Sequence, residues 1–341
     1  MKIALGSAAS LAEVIGFQMA GPFQEPGVTE PFDPFSDMNR RTFMGVAATS
    51  LMAATREGRA AAPSAATLKN AADGEPDVLH VRFLGTGAAD WNGPDERGEH
   101  RRLSSILLDG TVLIDYTARA QDMLPDACRP TTIFYTHSHG DHYNPADALR
   151  LGIRDVYLSQ TWYDIAYGEF RRASRELKLP MPQIHPLCIG SRVELGPLTI
   201  TPLPANHATG HLMEQSLLYL VEKGTARMVY ATDTGGIPAT AARLAGIDAH
   251  SEGKAITALI MEATMGMEHE VDFRLFTHSS VRTVERTVQV LTQTGRYRPQ
   301  PGQAVYLTHM ARTLHGTQAE LDRQLPSPLR AAYDGLEVEF R

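Results

Sequence analysis

The feature that most constrains this chain is the run Thr136–His142, which holds three histidines and one aspartate within six consecutive residues. It follows the apolar segment Ile133–Tyr135, which predicts a buried strand. His137 and His139 are two positions apart, so on an extended segment both rings point to the same side and can reach one metal ion. A glycine then permits a turn that brings back the aspartate and the last histidine. A solvated polar loop explains a lone histidine but not this density of ligands, so the run predicts a metal site.

The bulk composition excludes several other kinds of protein. A length of 341 residues suits one large domain or two small ones, and the net charge of -7 gives no support for nucleic acid as a partner. Cys128 and Cys188 cannot form a cysteine-rich zinc site, although one disulfide or two free thiols remain open. No apolar run reaches the roughly 20 residues that span a bilayer.

The N-terminal region predicts an export signal. Within residues 38–62, Arg40-Arg41 resembles a twin-arginine motif, an uncharged stretch follows, and three alanines precede Pro63. Residues 1–37 are either an extended leader or lie upstream of a true start at Met38, and residues 63–77 are a predicted linker. We therefore expect the twin-arginine export machinery as a partner and a periplasmic or secreted location.

Beyond the linker, strand-like and helical patterns alternate. Helices are predicted at 161–177, 279–293 and 318–324, and Asn144-Pro145 fits the start of another. A hairpin is predicted to turn at Gly196-Pro197. Strands are predicted at 78–84, 105–108, 112–115, 131–135, 217–221, 228–232, 258–262, 305–308 and 336–340. Two batches of strands with helices between them predict a sheet-on-sheet core with helices outside.

The run His-x-His-x-Asp-His is the signature of the metallo-β-lactamase superfamily, which this chain resembles over residues 78–341. The resemblance implies an α/β (α+β) fold, the four-layer αβ/βα sandwich, and one catalytic domain over 78–341. Four further motifs occur in the superfamily's order. By resemblance, Asp115 braces the metal loop, His207 completes the first metal site, Asp233 bridges two metals and His309 completes the second site.

The resemblance therefore implies a binuclear site with seven ligands. The first ion would be held by His137, His139 and His207, the second by Asp141, His142 and His309, and Asp233 would bridge them. Ligation by His and Asp alone suits Zn²⁺ first, with Mn²⁺ or Fe as alternatives. Such a pair of divalent metal ions generates a bridging hydroxide at neutral pH and polarises the substrate. Asp141, at the second ion, is also a candidate catalytic residue.

Two stretches narrow the resemblance to the branch that contains tRNase Z and cyclic-phosphate phosphodiesterases. These are Phe83–Ala88 and Arg101–Ser105, and the tail pattern around Asp334-Gly335 agrees with them. His278 lies where that branch has an additional active-site histidine, which would protonate the leaving oxygen. An exposed residue near a helix cap is the other interpretation of His278. Residues 89–102 contain no cysteine, so the structural zinc of some relatives is absent, and no tRNA-binding arm is evident.

The sequence thus predicts a metal-dependent hydrolase, with a phosphodiester or cyclic phosphate as the expected small-molecule substrate. A lactonase or β-lactamase-like hydrolase using the same two-metal site is the alternative, and it suits an exported protein well. A non-catalytic scaffold is disfavoured because all seven ligand positions are filled. The oligomeric state is left open, and a homodimer is compatible with the sequence.

Overall fold

The computed structural model describes residues 77–251 and 253–341, to which every structural statement below refers. The predicted leader (1–37), the predicted twin-arginine signal (38–62) and all but the last residue of the predicted linker (63–77) lie outside the described residues. Those interpretations stay predictions.

One sheet contains the strands that lead to the histidine-rich run. Its members are β1 (Leu79–Gly85), β2 (Ser105–Leu108), β3 (Val112–Ile114), β4 (Thr132–Phe134), β5 (Asp155–Ser159), β6 (Gln183–Leu187) and β14 (Glu337–Phe340). The strand order is β14-β1-β2-β3-β4-β5-β6, antiparallel as far as β3 and parallel from β3 to β6. The parallel half therefore has the carboxyl ends of its strands at one edge.

A second sheet of seven strands repeats this arrangement. It consists of β7 (Val193–Leu195), β8 (Leu198–Pro204), β9 (Leu217–Lys223), β10 (Ala226–Ala231), β11 (Ala258–Glu262), β12 (Val305–Thr308) and β13 (Leu329–Ala331). The strands run antiparallel from β7 to β10 and parallel from β10 to β13. Each sheet thus has one antiparallel half and one parallel half.

Helices cover the outer faces of the two sheets. The α-helices are α1 (Pro145–Leu151), α2 (Tyr163–Leu177), α3 (Ala239–Leu244), α4 (Val281–Gln293) and α5 (Gln318–Gln324), and 3-10 helices occupy Ala118–Met123, Gln160–Trp162 and Phe273–Phe276. Residues such as Phe83, Ile106, Ile200 and Tyr230 form the core between the sheets. Separate apolar clusters join one sheet to α1 and α2 and the other sheet to α3 and α4. The layers are helix, sheet, sheet, helix, which confirms the predicted four-layer α/β sandwich.

Local sequence signals explain where two helices beside the site begin. Asn144 caps α1 by accepting a hydrogen bond from the backbone of Asp147, and Pro145 occupies the first helical position, as predicted. The side chain of Ser280 caps α4 in the same way. Valines spaced along α4 bury one face, which agrees with the predicted periodicity.

The strands β5, β6 and β13 and the helix α3 have no counterpart among the predicted elements. β6 contains Pro186 and lies at the edge of its sheet, the position where a proline costs no ladder hydrogen bond. β13 is a three-residue strand at the edge of the other sheet. Such short or proline-containing edge strands carry little periodicity.

Cys128 and Cys188 are both free thiols. Within the described part of the chain, no helix is long and apolar enough to cross a membrane.

Candidate metal centre

The predicted metal ligands come from four loops, each of which follows a strand. The run that contains His137 begins two residues after β4, and His207 lies three residues beyond β8. Asp233 follows β10 by two residues, and His309 comes directly after β12. Because the carboxyl ends of parallel strands lie at one edge of a sheet, the two facing sheets bring these side chains together.

Three histidine rings converge on one point. Nε2 of His137 lies 2.9 Å from Nδ1 of His139, which lies 3.1 Å from Nε2 of His207. One nitrogen of each ring lies within 4.8 Å of the others. Two nitrogen ligands of a tetrahedral zinc ion lie roughly 3.3 Å apart, given metal–nitrogen bonds of about 2.0–2.1 Å. The three predicted ligands of the first ion therefore have the spacing of a coordination sphere.

The predicted ligands of the second ion meet beside the first group. Nε2 of His142 lies 3.3 Å from Oδ2 of Asp141, and Nε2 of His309 lies 3.4 Å from the same oxygen. Oδ2 of Asp233 lies 3.0 Å from His142 and 3.3 Å from His309, while its Oδ1 lies 3.8 Å from Nε2 of His207. Asp233 thus faces both groups, one oxygen to each, as a bridging carboxylate must.

The outward nitrogens of four rings are held by hydrogen bonds. Nδ1 of His142 lies 2.8 Å from Asp115, and Nδ1 of His137 lies 3.0 Å from the hydroxyl of Thr136. Nδ1 of His207 lies 3.2 Å from the carbonyl oxygen of Thr277, and Nδ1 of His309 lies 2.9 Å from the hydroxyl of Thr264. Such contacts orient imidazoles and fix which nitrogen faces the metal. Nε2 of His142 is buried and has no hydrogen-bond partner among the described residues, although two carboxylates surround it.

Burial and charge divide the cluster into two electrostatic halves. Burial, assisted by neighbouring histidines, lowers the pKa values of His137, His139 and His207, which keeps these rings in the neutral form that binds metal. Burial opposes a charged ring at His142 as well, but nearby carboxylates, first among them Asp233, raise its pKa. The carboxylate half therefore attracts positive charge. The residues fit two divalent cations in both spacing and charge.

Asp115 has the bracing role that the resemblance implied. Its carboxylate accepts hydrogen bonds from the backbone nitrogen and the hydroxyl of Thr136, at 2.8 and 2.7 Å, besides its contact with His142. Asp115, Asp233 and His309 all have φ near +50°, a region that residues other than glycine rarely occupy. Strained backbone of this kind clusters at functional sites.

His278, the proposed additional histidine, lies at the cluster and is only partly exposed. Its ring centre is 4.8 Å from that of His207 and 5.6 Å from that of His309. Its Nδ1 lies 3.1 Å from Oε1 of Glu262 and 3.7 Å from Oδ1 of Asp233. Burial disfavours the charged ring, but Glu262 overrides this and raises the pKa of His278 to about 9. Because the side chain is mostly buried against the cluster, His278 is not the exposed residue near a helix cap that the other interpretation proposed.

Sequence reasoning missed two acidic residues that hold the site together. Glu262, fully buried at the end of β11, accepts hydrogen bonds from the backbone nitrogens of Thr234 and Thr264 and contacts His278. Glu214 accepts hydrogen bonds from the backbone and hydroxyl of Ser138, the residue between the first two histidines of the run. The signal for Glu262 was a carboxylate at the end of a buried strand, the same context as Asp233.

The remaining histidines stand apart from the cluster. His211 is exposed on the loop after His207. His185 stacks on Tyr157, and Nε2 of His315 hydrogen-bonds the carbonyl of Ala263 at 2.6 Å.

Comparison with known families agrees with this geometry. The sequence profile described as the β-lactamase superfamily domain matches residues 86–310. The chain belongs to this family. The prediction of a metal-dependent hydrolase with the metallo-β-lactamase fold is thereby confirmed at the level of the family. No curated protein matches the chain.

Solved structures show the same fold at low sequence identity. A diphosphatase from the PhnP family is 22% identical with a TM-score of 0.54, and the match covers 77% of this chain and 98% of that one. The short form of human tRNase Z is 18% identical with a TM-score of 0.55, over 77% and 99% of the two chains. Zinc-bound PqqB from Methylobacterium extorquens is 16% identical with a TM-score of 0.54, over 76% and 99%. These three structures share the fold of this chain.

Proposed function

We propose that this protein is an exported hydrolase that uses two divalent metal ions to cleave a phosphodiester or cyclic phosphate. The observation that carries the proposal is the position of Asp233, whose two oxygens face the two groups of predicted ligands. Zn²⁺ is the ion we propose, since its bond lengths fit the spacing of the histidine nitrogens. Two such ions, when bound, lower the pKa of water and polarise the substrate oxygen.

The protein's own residues have separate tasks in this proposal. His137, His139 and His207 supply neutral nitrogen ligands, and Asp115 holds the loop that presents two of them. Asp141 and Asp233 supply the negative charge that balances the second ion. We assign no proton transfer to Asp141, because His142 and His309 lower its pKa despite its burial.

His278 is the proposed general acid. Glu262 contacts its Nδ1, while Nε2 makes no hydrogen bond with any residue that the structure describes. A ring held at one nitrogen by a carboxylate can deliver a proton from the other nitrogen to a leaving oxygen. The same pair would hold the proton until the bond breaks, because the carboxylate favours the charged ring.

The phosphodiester assignment is supported by the diphosphatase and tRNase Z, which share this fold. Metal-loaded protein should be offered bis-p-nitrophenyl phosphate, a γ-lactone series and nitrocefin under the same conditions. We expect turnover of the phosphodiester. Turnover of lactones or nitrocefin without any of the phosphodiester would replace the proposed function by its alternative.

Export rests on the N-terminal sequence alone and is tested separately. Replacing Arg40-Arg41 by Lys-Lys should retain the protein in the cytoplasm. A variant with Arg56→Lys, beyond the uncharged stretch, is the matched control and should be exported. Export of the double-lysine variant would contradict the twin-arginine assignment.

A further inference from the structure

Two loops beside the metal centre carry large apolar side chains into solvent. The first loop, residues 208–214, begins directly after His207, and the second, residues 267–277, ends directly before His278. We call them the rim loops. Their most exposed apolar side chains are Leu212 (100%), Met213 (83%), Val271 (99%), Phe273 (77%) and Phe276 (80%). Single exposed apolar residues are ordinary, but grouping at the mouth of a site indicates a binding surface.

The second rim loop is joined to Asn206 and His207, the two residues that precede the first rim loop. Nδ1 of His207 lies 3.2 Å from the carbonyl of Thr277, and the side chain of Asn206 donates to the carbonyl of Phe276 at 3.4 Å. Phe276 is two residues from His278, so their Cα atoms are at most about 7 Å apart. The second rim loop, with Phe276, therefore lies directly beside the metal centre.

The first rim loop has a fixed stem and an apolar tip. Glu214 bonds both Ser138 of the metal run and the hydroxyl of Thr209, so the two ends of the loop are tied down. Leu212 and Met213 lie between these ties and remain exposed. Polar contacts thus fix the loop, and the side chains of Leu212 and Met213 are free to contact a ligand.

The charges on the rim loops disfavour a polyanionic ligand. Arg274 is the single arginine or lysine in the two loops, and it is paired with Asp272 and lies over the ring of Phe273. Glu268 and Glu270 add further negative charge. Nucleic-acid binding depends on cations that neutralise phosphates, and this rim offers none that is unpaired.

We propose that the rim loops bind an apolar alkyl or aryl group that the substrate carries beside its scissile bond. This inference rests on the proposed function and names its substrate class: amphipathic phosphodiesters, with an anionic group for the metal centre and an apolar group for the rim. Sugar phosphates and polynucleotides lack that apolar group.

The test uses methyl, butyl and hexyl esters of p-nitrophenyl phosphate, which share one leaving group. We expect kcat/KM to rise by about two- to fourfold for each methylene that the rim buries. The increase should come from KM, because the rim binds ground state and transition state alike. The double variant Phe273→Ser/Phe276→Ser should lose this dependence on chain length. Val290→Ser, which changes an apolar residue of α4 that is also exposed, should keep it.

A binding measurement gives a second readout that needs no turnover. Calorimetric titration with hexylphosphonate should show a negative heat-capacity change that methylphosphonate does not, and the double variant should reduce it. Equal kcat/KM for methyl and hexyl esters would overturn the rim proposal while leaving the phosphodiesterase intact. If no phosphodiester is cleaved but γ-lactones are, the proposed function fails. A dependence of kcat/KM on the alkyl chain length of the lactones then tests separately whether the rim loops bind an apolar group.

Two other occupants of the rim would also overturn the proposal. If the wild type sediments as a dimer and the double variant as a monomer, the rim binds a second copy of the chain. If chain-length dependence appears only in the presence of phosphatidylcholine vesicles and the protein co-sediments with them, the rim binds a lipid surface.

Discussion

Glu262 and His278 are sixteen residues apart in sequence, and their side chains lie 3.1 Å apart at the edge of the metal centre. The carboxylate is fully buried and also accepts hydrogen bonds from the backbone of Thr234 and Thr264, so its own position is fixed. It can therefore act as a positioning residue for His278, setting which ring nitrogen faces the substrate.

Glu262→Gln keeps the shape of this side chain and removes its charge. We expect the variant to lose activity on substrates with poor, alkoxide leaving groups by about 10- to 100-fold, because the proton on His278 is no longer stabilised. Substrates that release p-nitrophenolate need little protonation and should be hydrolysed nearly normally. Comparing kcat for the two classes of leaving group measures this.

His278→Ala is the companion variant and should show the same pattern, with no further loss in the double variant. Equal losses on both leaving-group classes would remove His278 as the general acid. Thermal unfolding of each variant separates this outcome from simple destabilisation, since Glu262 also bonds the backbone.

Asp115→Asn tests the brace of the metal loop. The amide can retain some hydrogen bonds to Thr136, but it loses the charge that faces His142. We expect affinity for the second metal ion to fall by about 10- to 100-fold. Competition with a fluorescent zinc chelator measures the affinities. Asp109→Asn, at another strand end with a positive φ, is the matched control, and equal affinities in wild type and Asp115→Asn would contradict the bracing role.

The buried ring of His315 is expected to make the stability of the fold depend on pH. Burial lowers its pKa to about 4 although Nε2 hydrogen-bonds Ala263. Because the folded pKa lies below the unfolded value of 6.5, the unfolded state binds more protons between these values. His315 should therefore contribute its full stabilisation above pH 6.5 and lose up to about 3 kcal/mol as the pH falls towards 4.

The measurement is the free energy of unfolding by urea at pH 7 and at pH 5 for the wild type and His315→Gln. The glutamine variant should be less sensitive to pH, since it has no group to protonate. His250→Gln, an exposed histidine, is the control and should follow the wild type. An identical pH dependence in wild type and His315→Gln would contradict the prediction.

Much of the metal centre was predictable because its ligands occur in motifs at the ends of apolar strands. The run from His137 to His142, with Asp233, needed only motif order and strand ends to be recognised. Glu262 shares the strand-end context of Asp233, but Glu214 was not predictable in this way, because it is a lone acidic residue in a loop, 76 residues from its partner Ser138. Only the packing of the two sheets brings Glu214 and Ser138 together.

The fold itself was predictable where an apolar run is continuous, as in β2, β11 and β12, or periodic, as in α4. It was not predictable at β6 and β13, which lie at sheet edges, or at α3, which has only six residues. The rim loops were also missed, because an exposed apolar residue is indistinguishable in sequence from a buried one.

Seven residues are proposed to hold two metal ions, and the number of zinc ions bound per chain tests this directly. Protein loaded with zinc and freed of excess metal should contain two ions by plasma mass spectrometry. His309→Ala should contain one, and His211→Ala, which changes an exposed histidine near the site, should contain two. One ion in the wild type, or two in His309→Ala, would contradict the two-metal account.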